Sequence, residues 1–327
     1  MGIRKGIAAW VVIVGATQPA AAYEFGSPGV DQKPGIVLGG ISAAVPPPGI
    51  YMFEQFYTYQ ATITGPGRPP GDSVPVRLNS SSTGILFVPG WSFLGANYDA
   101  VIVQPVSTLG VGSPVNSNYF GLHNTLIIPA ELSWKLGDTG LFVKSGFGIY
   151  APNGTISGPT GLSNAGHPWW TFVPSFFVSY LKDGWNLTSA LYLEMNTRNT
   201  VTGYTSGNIF HAEFVATKRI GKWTIGPVGY YCGQVSDDRS SAFYHNAINV
   251  NRYNVWAAGA LVGYDFGPVA VNIWALNDLH ADSSGSYPIQ GKTTVTKGFS
   301  VFASMSFRLW APDDGKAQAA PRKLTYK

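Results

Sequence analysis

The chain has 327 residues, only 12% of them charged, with 40 glycines, 14% aromatic residues and a formal net charge of +4. Ordinary soluble domains carry about 25% charged residues, so the composition argues against one, and a near-balanced charge without a basic cluster excludes a nucleic-acid surface. The single cysteine, Cys232, excludes an internal disulfide and any cysteine-based metal site, and a lone thiol of this kind is expected to be a small buried side chain.

Residues 1–22 read as an export signal: Arg4 and Lys5, an apolar stretch from Ile7 to Ala16, and the small-residue site Ala20-Ala21-Ala22. The apolar stretch is shorter than the roughly 20 residues a membrane helix needs, and no later segment reaches that length. The exported chain is therefore soluble in the periplasm or a β-barrel. Residues 23–49 are rich in Gly and Pro and end in Pro46-Pro47-Pro48-Gly49. Proline lacks the N–H donor of a central strand, so this segment is expected to be a periplasmic lead-in.

From residue 50 to 310 the chain divides into about twelve alternating strands whose connections run long, short, long, short, the rhythm of an all-β, closed antiparallel outer-membrane barrel. Short turns fall at Gly95, Lys135 to Gly140, Lys182 to Gly184, Gly221-Lys222 and Gly267-Pro268. Long loops are expected at Gly65 to Thr83, Thr108 to Tyr119, Ala151 to Pro168, Thr197 to Asn208, Val235 to Arg252 and Asp278 to Lys297. Both ends then lie on the short-turn rim, the periplasmic side of a Gram-negative outer membrane. Residues 311–327 form a tail.

Period-two alternation assigns faces, the apolar one to lipid and the polar one to the lumen. In the first strand this sends Tyr51, Phe53, Gln55, Tyr57 and Tyr59 to lipid and Glu54 inward. Further on, Leu187, Leu191 and Leu193 oppose Asn186, Thr188 and Glu194; Phe210 and Phe214 oppose His211 and Glu213; Phe307 and Leu309 oppose Ser306 and Arg308. Trp91, Trp134, Trp185, Trp223 and Trp310 sit at the short-turn ends of strands, as an aromatic girdle requires. A turn centred between Gly137 and Asp138 would set Glu131 opposite Lys144, an inward ion pair. It would also place Ile127, Pro129, Gly146, Gly148 and Tyr150 on an apolar part of the lumenal wall. Glu54, Glu131, Lys144, Glu194, Glu213 and Arg308 are the charged wall residues.

Several segments in order resemble the family named for the meta-pathway of phenol degradation: Pro46-Pro-Pro-Gly-Ile-Tyr51, Pro129-Ala-Glu-Leu-Ser-Trp134, Gly146-Phe-Gly-Ile-Tyr-Ala-Pro-Asn-Gly154, Trp169-Trp-Thr-Phe-Val-Pro174, Gly203 to His211, and Gly263 to Val269. The resemblance runs from Gly39 to Trp310 and departs at the tail. It implies an outer-membrane barrel associated with passive uptake of small hydrophobic or aromatic, phenol-like compounds, and supplies no catalytic residues. The expected partners are outer-membrane lipid, the barrel assembly machinery and the solute. The alternatives are a structural or adhesive barrel acting through its loops, a lipid hydrolase using Ser240-Ser241 and His245, and a soluble sandwich. The five histidines are scattered without close ligand spacing, so neither metal nor cofactor is expected, and no phosphate-binding Gly-rich loop is present.

Overall fold

The computed structural model describes residues 29–65, 73–113, 116–159, 164–246, 250–285 and 294–312. The expected signal at 1–22 and the tail beyond residue 312 lie outside the described residues. Twelve antiparallel strands close into a barrel. In chain order they are β1 (Gly49–Thr64), β2 (Pro75–Val88), β3 (Ala96–Val111), β4 (Ser117–Leu122 continued by Thr125–Lys135), β5 (Leu141–Ala151) and β6 (Thr171–Tyr180). There follow β7 (Trp185–Asn196), β8 (Ile209–Ile220), β9 (Trp223–Gln234), β10 (Val250–Asp265), β11 (Val269–Gly285) and β12 (Val295–Trp310). Both pieces of β4 pair with β3, Val106 with Leu122 and Val103 with Leu126, so His123-Asn124 is an interruption within one strand. Closure comes from β1 and β12, paired from Ile50 with Trp310 to Thr64 with Val295.

Local chemistry accounts for the turns. Asp183 and Gly184 have φ of 53° and 77°, the two positive values a tight type I′ hairpin needs and Asp-Gly supplies at little cost. Trp91, Trp185, Trp223 and Trp310 are exposed at this rim, and Trp134 Nε1 donates to the Leu94 carbonyl at 3.1 Å. Around the outside run exposed apolar side chains such as Ile102, Phe147, Phe176, Phe214, Ile273 and Phe299, the belt that hydrocarbon requires.

Some strands run further than their composition suggests. Pro75 to Thr83 and Asp278 to Gly285, expected as loop, are strand. Their polar runs mislead because β2 still alternates, with Val76 buried and Arg77 and Asn79 exposed.

The face assignment of β1 is reversed. Tyr51, Tyr57 and Tyr59 are buried inside, whereas Glu54 points outward, its carboxylate accepting from Ser81 Oγ at 2.5 Å and Thr83 Oγ1 at 2.6 Å. The reason is that the interior is filled and offers the tyrosines partners. Tyr51 Oη donates to the Pro47 carbonyl at 2.6 Å and Tyr59 Oη to Asp278 at 2.8 Å.

What fills the interior is the segment before β1. Residues 29–48 do not form a lead-in outside the barrel; they run through the lumen, with Leu38, Ile41 and Ala43 almost wholly buried. Covering Leu38 and Ile41 is worth about 1.5–3 kcal/mol apiece relative to water. Glycine makes the passage possible: a Cβ on Gly39 would lie 2.2 Å from the Trp274 indole, and Gly35 has φ of 86°. Trp274 stacks on Phe302 at 5.2 Å and donates from Nε1 to the Gly35 carbonyl at 2.9 Å.

Candidate functional site

The inward carboxylates of β7 and β8 act on this internal segment. Glu194 accepts from the backbone N–H of Asp31 at 2.7 Å and of Gln32 at 3.2 Å, and its other contact is His211 Nε2 at 2.9 Å. Glu213 accepts from Gly35 N at 2.9 Å. Both side chains are fully buried, and hydrogen bonds from N–H donors are what make a buried carboxylate tolerable. Lower down, Ser179 and Ser133 bind the main chain of Ala43, and Asn186 Nδ2 donates to the Ile41 carbonyl at 3.2 Å. Lys33 sits over the Tyr59 ring at 3.9 Å. Burial pulls its pKa below the usual lysine range, against the pull of Asp278. The segment is thus a plug, tied mainly to one side of the barrel.

On the other side lies a chamber of about 620 Å³. Its wall is apolar over most of its extent and runs mainly from β12 through β1 to β6, with Met52 and Tyr57 from β1, Leu78 and Leu86 from β2, Val103 from β3, and Gly148 from β5 among its residues. Ile36, Val37 and Ile41 of the plug face it. Its charged lining residues are Asp31 and Lys33 of the plug and, from the wall, Glu131 and Lys144 of a buried triad in which Lys144 Nζ lies 3.0 Å from Glu131 Oε2 and 3.1 Å from Asp99 Oδ2. Two carboxylates against one ammonium require the pairing, because an isolated charge at this depth is unaffordable.

The predicted wall residues divide accordingly. Glu131 and Lys144 meet, but diagonally: Glu131 is registered with Gly146 and Lys144 with Ser133, because the turn holds five residues between Lys135 and Leu141. Gly146 is covered by Glu131, whose Cγ would be 2.9 Å from an added Cβ, whereas Gly148 opens on the chamber. Ile127 and Pro129 are exposed and do not line the chamber; a bulge between Ile127 and Ala130, at the proline that cannot donate, turns Leu126 and Ile128 inward instead. Tyr150, Glu194 and Glu213 are buried inside. Arg308 closes the rim, donating from Nη2 to the Pro48 carbonyl at 2.6 Å. Glu54 has no part in the interior.

Sequence reasoning missed Asp99, a lone acid among the valines of β3, and Asp278, which lies in β11 and not in a loop. Asp278 accepts from Tyr59, Tyr230 and Gly298 N. It also missed that the fold gathers His123, His167 and Asp31, despite their separation in sequence. Cys232 is buried as expected, 3.9 Å from His211 Nε2. Ser240 Oγ and Ser241 Oγ have no hydrogen-bond partner among the described residues, so no hydroxyl–imidazole contact of a nucleophilic site is formed there.

A closed twelve-stranded barrel with an apolar outer belt and an internal plug defines a membrane β-barrel. Within that class the chain belongs to the family described as "Putative MetA-pathway of phenol degradation", whose model matches residues 65–304. The COG4313 outer membrane channel from Pseudomonas putida F1 shares the fold, with a TM-score of 0.67 at 11% identity over 84% of this chain and 99% of that one. Weaker likenesses are the beta domain of the Bordetella autotransporter Brka (TM-score 0.46, 12% identity, 80% of this chain and 100% of that one) and the TodX monoaromatic hydrocarbon channel (0.44, 8%, 88% and 95%). Comparison with curated proteins finds no match.

Proposed function

We propose that this chain is an outer-membrane channel for passive entry of small hydrophobic or aromatic, phenol-like solutes, and that its own N-terminal segment restricts the passage. The observation that carries this reading is the chamber between the plug and the barrel wall, to which β1–β6 and β12 contribute most, about 620 Å³ and lined largely by aliphatic and aromatic side chains. That size and lining suit a small apolar ligand, since ligand cavities run from about 300 to 1,000 Å³ with few polar groups. Family membership supports the same substrate class, and the fold shared with a solved outer membrane channel supports the location. In this account the acidic wall and the triad serve to hold the barrel interior and its plug, and the aliphatic wall provides the path.

The test is permeation into proteoliposomes of equal barrel content, comparing a phenol-like solute with a sugar of similar size. The expected result is faster entry of the aromatic solute and little entry of the sugar. Equal, background-level entry of both would refute the channel and favour a structural or adhesive barrel, whose loss would leave solute flux unchanged.

A further inference from the structure

We propose that Asp31, His123 and His167 bind one divalent transition-metal ion of the zinc and cobalt type, and that this ion fastens the plug to the barrel. As a means of holding the plug in the passage it rests on the channel reading, whereas the ion-binding itself does not. The three residues come from separate elements: Asp31 from the plug, His123 from the interruption in β4, and His167 from the connection between β5 and β6. Their ligand atoms all lie within 4.8 Å of one another. Asp31 Oδ1 is 3.0 Å from His167 Nδ1 and 4.0 Å from His123 Nδ1. Ligand atoms about 2.0–2.2 Å from a tetrahedral ion stand about 3.3 Å apart, so the set needs only small side-chain rotations to close on one.

A second observation points to a missing partner. His123 Nδ1 is buried and has no hydrogen-bond partner among the described residues, an arrangement that costs free energy unless something binds there. The surroundings hold the other two ligands in place. Thr171 Oγ1 donates to the second oxygen of Asp31. Asn124 brackets His167, its Oδ1 accepting from the His167 N–H and its Nδ2 donating to the His167 carbonyl, both at 3.0 Å. Trp169 stacks on the His167 ring at 4.4 Å. Such outer contacts are what orient metal-binding imidazoles. Two imidazoles and one carboxylate favour zinc, cobalt or nickel over calcium or magnesium, which take oxygen sets. All three residues border the chamber, which gives an ion a way in. On binding, the neutral His167 ring gives up its Nδ1 proton to water and takes one from water at Nε2, so that no net proton is lost; both imidazoles then bind through Nδ1, and water completes the coordination.

The experiment titrates Zn²⁺ alone into the detergent-folded full barrel by calorimetry, with hydrogen exchange of residues 29–45 followed with and without Zn²⁺. The expected result is one ion per barrel, affinity at least about tenfold lower in His123→Gln and in His167→Gln, and slower exchange of the segment in wild type only. Retained heat-modifiable mobility on gels shows that each variant is folded. Should both variants misfold, visible absorption of Co²⁺ bound to the wild-type barrel still decides: tetrahedral nitrogen–oxygen bands support the site, and their absence overturns it. No saturable binding, undiminished binding in the two folded variants, or binding without any change in exchange would each overturn the inference, while leaving the permeation result intact.

Discussion

The two sides of the lumen are built from the same alternating pattern and do opposite things. On β7 and β8 the inward positions include Glu194, His211 and Glu213, and the carboxylates there grip backbone N–H groups of the plug. On β2 and β3 they are mostly Val and Leu, and the plug stands off from them, leaving the chamber. A carboxylate that binds main-chain N–H groups fixes a chain without dictating its side chains. An aliphatic wall that binds nothing leaves room for a guest. The contrast teaches that inward charge in this barrel marks where the plug or the frame is held, and the absence of charge marks the path.

The largest expected effect comes from the charged triad in the wall of the open side. Lys144→Ala strands Glu131 and Asp99 together and should destabilise the barrel by about 3–5 kcal/mol in urea unfolding. The triple change Asp99→Asn, Glu131→Gln, Lys144→Met should recover most of that loss. Single effects that simply add would show that the triad is not a unit.

Next comes the gripping side. Glu194→Ala with Glu213→Ala removes acceptors whose charge-assisted bonds are worth about 1.5–3 kcal/mol each, so amide exchange at Gln32 and Gly35 should accelerate strongly while strand amides of β2 and β3 stay protected. Uniform acceleration throughout would erase the distinction between the two sides.

Gly148→Leu acts on the open side alone. Its Cβ would sit 3.2 Å from Leu126 Cδ1 and ordinary contact distance from Val173, so the side chain fills part of the chamber. Aromatic permeation should fall several-fold at unchanged thermal stability; an unchanged rate would move the path elsewhere. Smallest of all, Glu54→Gln on the outer face should shift unfolding by less than about 1 kcal/mol, although its sequence parity reads as lumenal.

Much of this architecture is legible from residues. Turn glycines, tryptophans at strand ends and the long–short rhythm specify twelve strands, because those signals are local. The inward sets of β7, β8 and β12 are also legible, since polar and apolar residues separate cleanly there. The first strand is misread because its large aromatic residues look like lipid-facing ones; only the presence of a filling segment makes the interior their better place. Ile127 and Pro129 are misread because a single bulge shifts parity. The plug itself was hidden: a run of Gly and Pro between residues 29 and 48 has no periodicity, and Glu194, Glu213 and Ser179, which hold it, stand more than 130 residues away in sequence. The meeting of Asp31, His123 and His167 depends on that threading and on one loop, so spacing in the chain could not announce it.

Passage through this barrel depends on whether residues 29–48, which occupy the lumen, also restrict it. Single-channel conductance in planar bilayers tests this restriction most directly, comparing the intact barrel with one lacking residues 23–45. The intact protein should show a small, intermittent conductance and the shortened barrel a several-fold larger, steady one. Equal conductance in the two, with both correctly folded, would contradict the restriction.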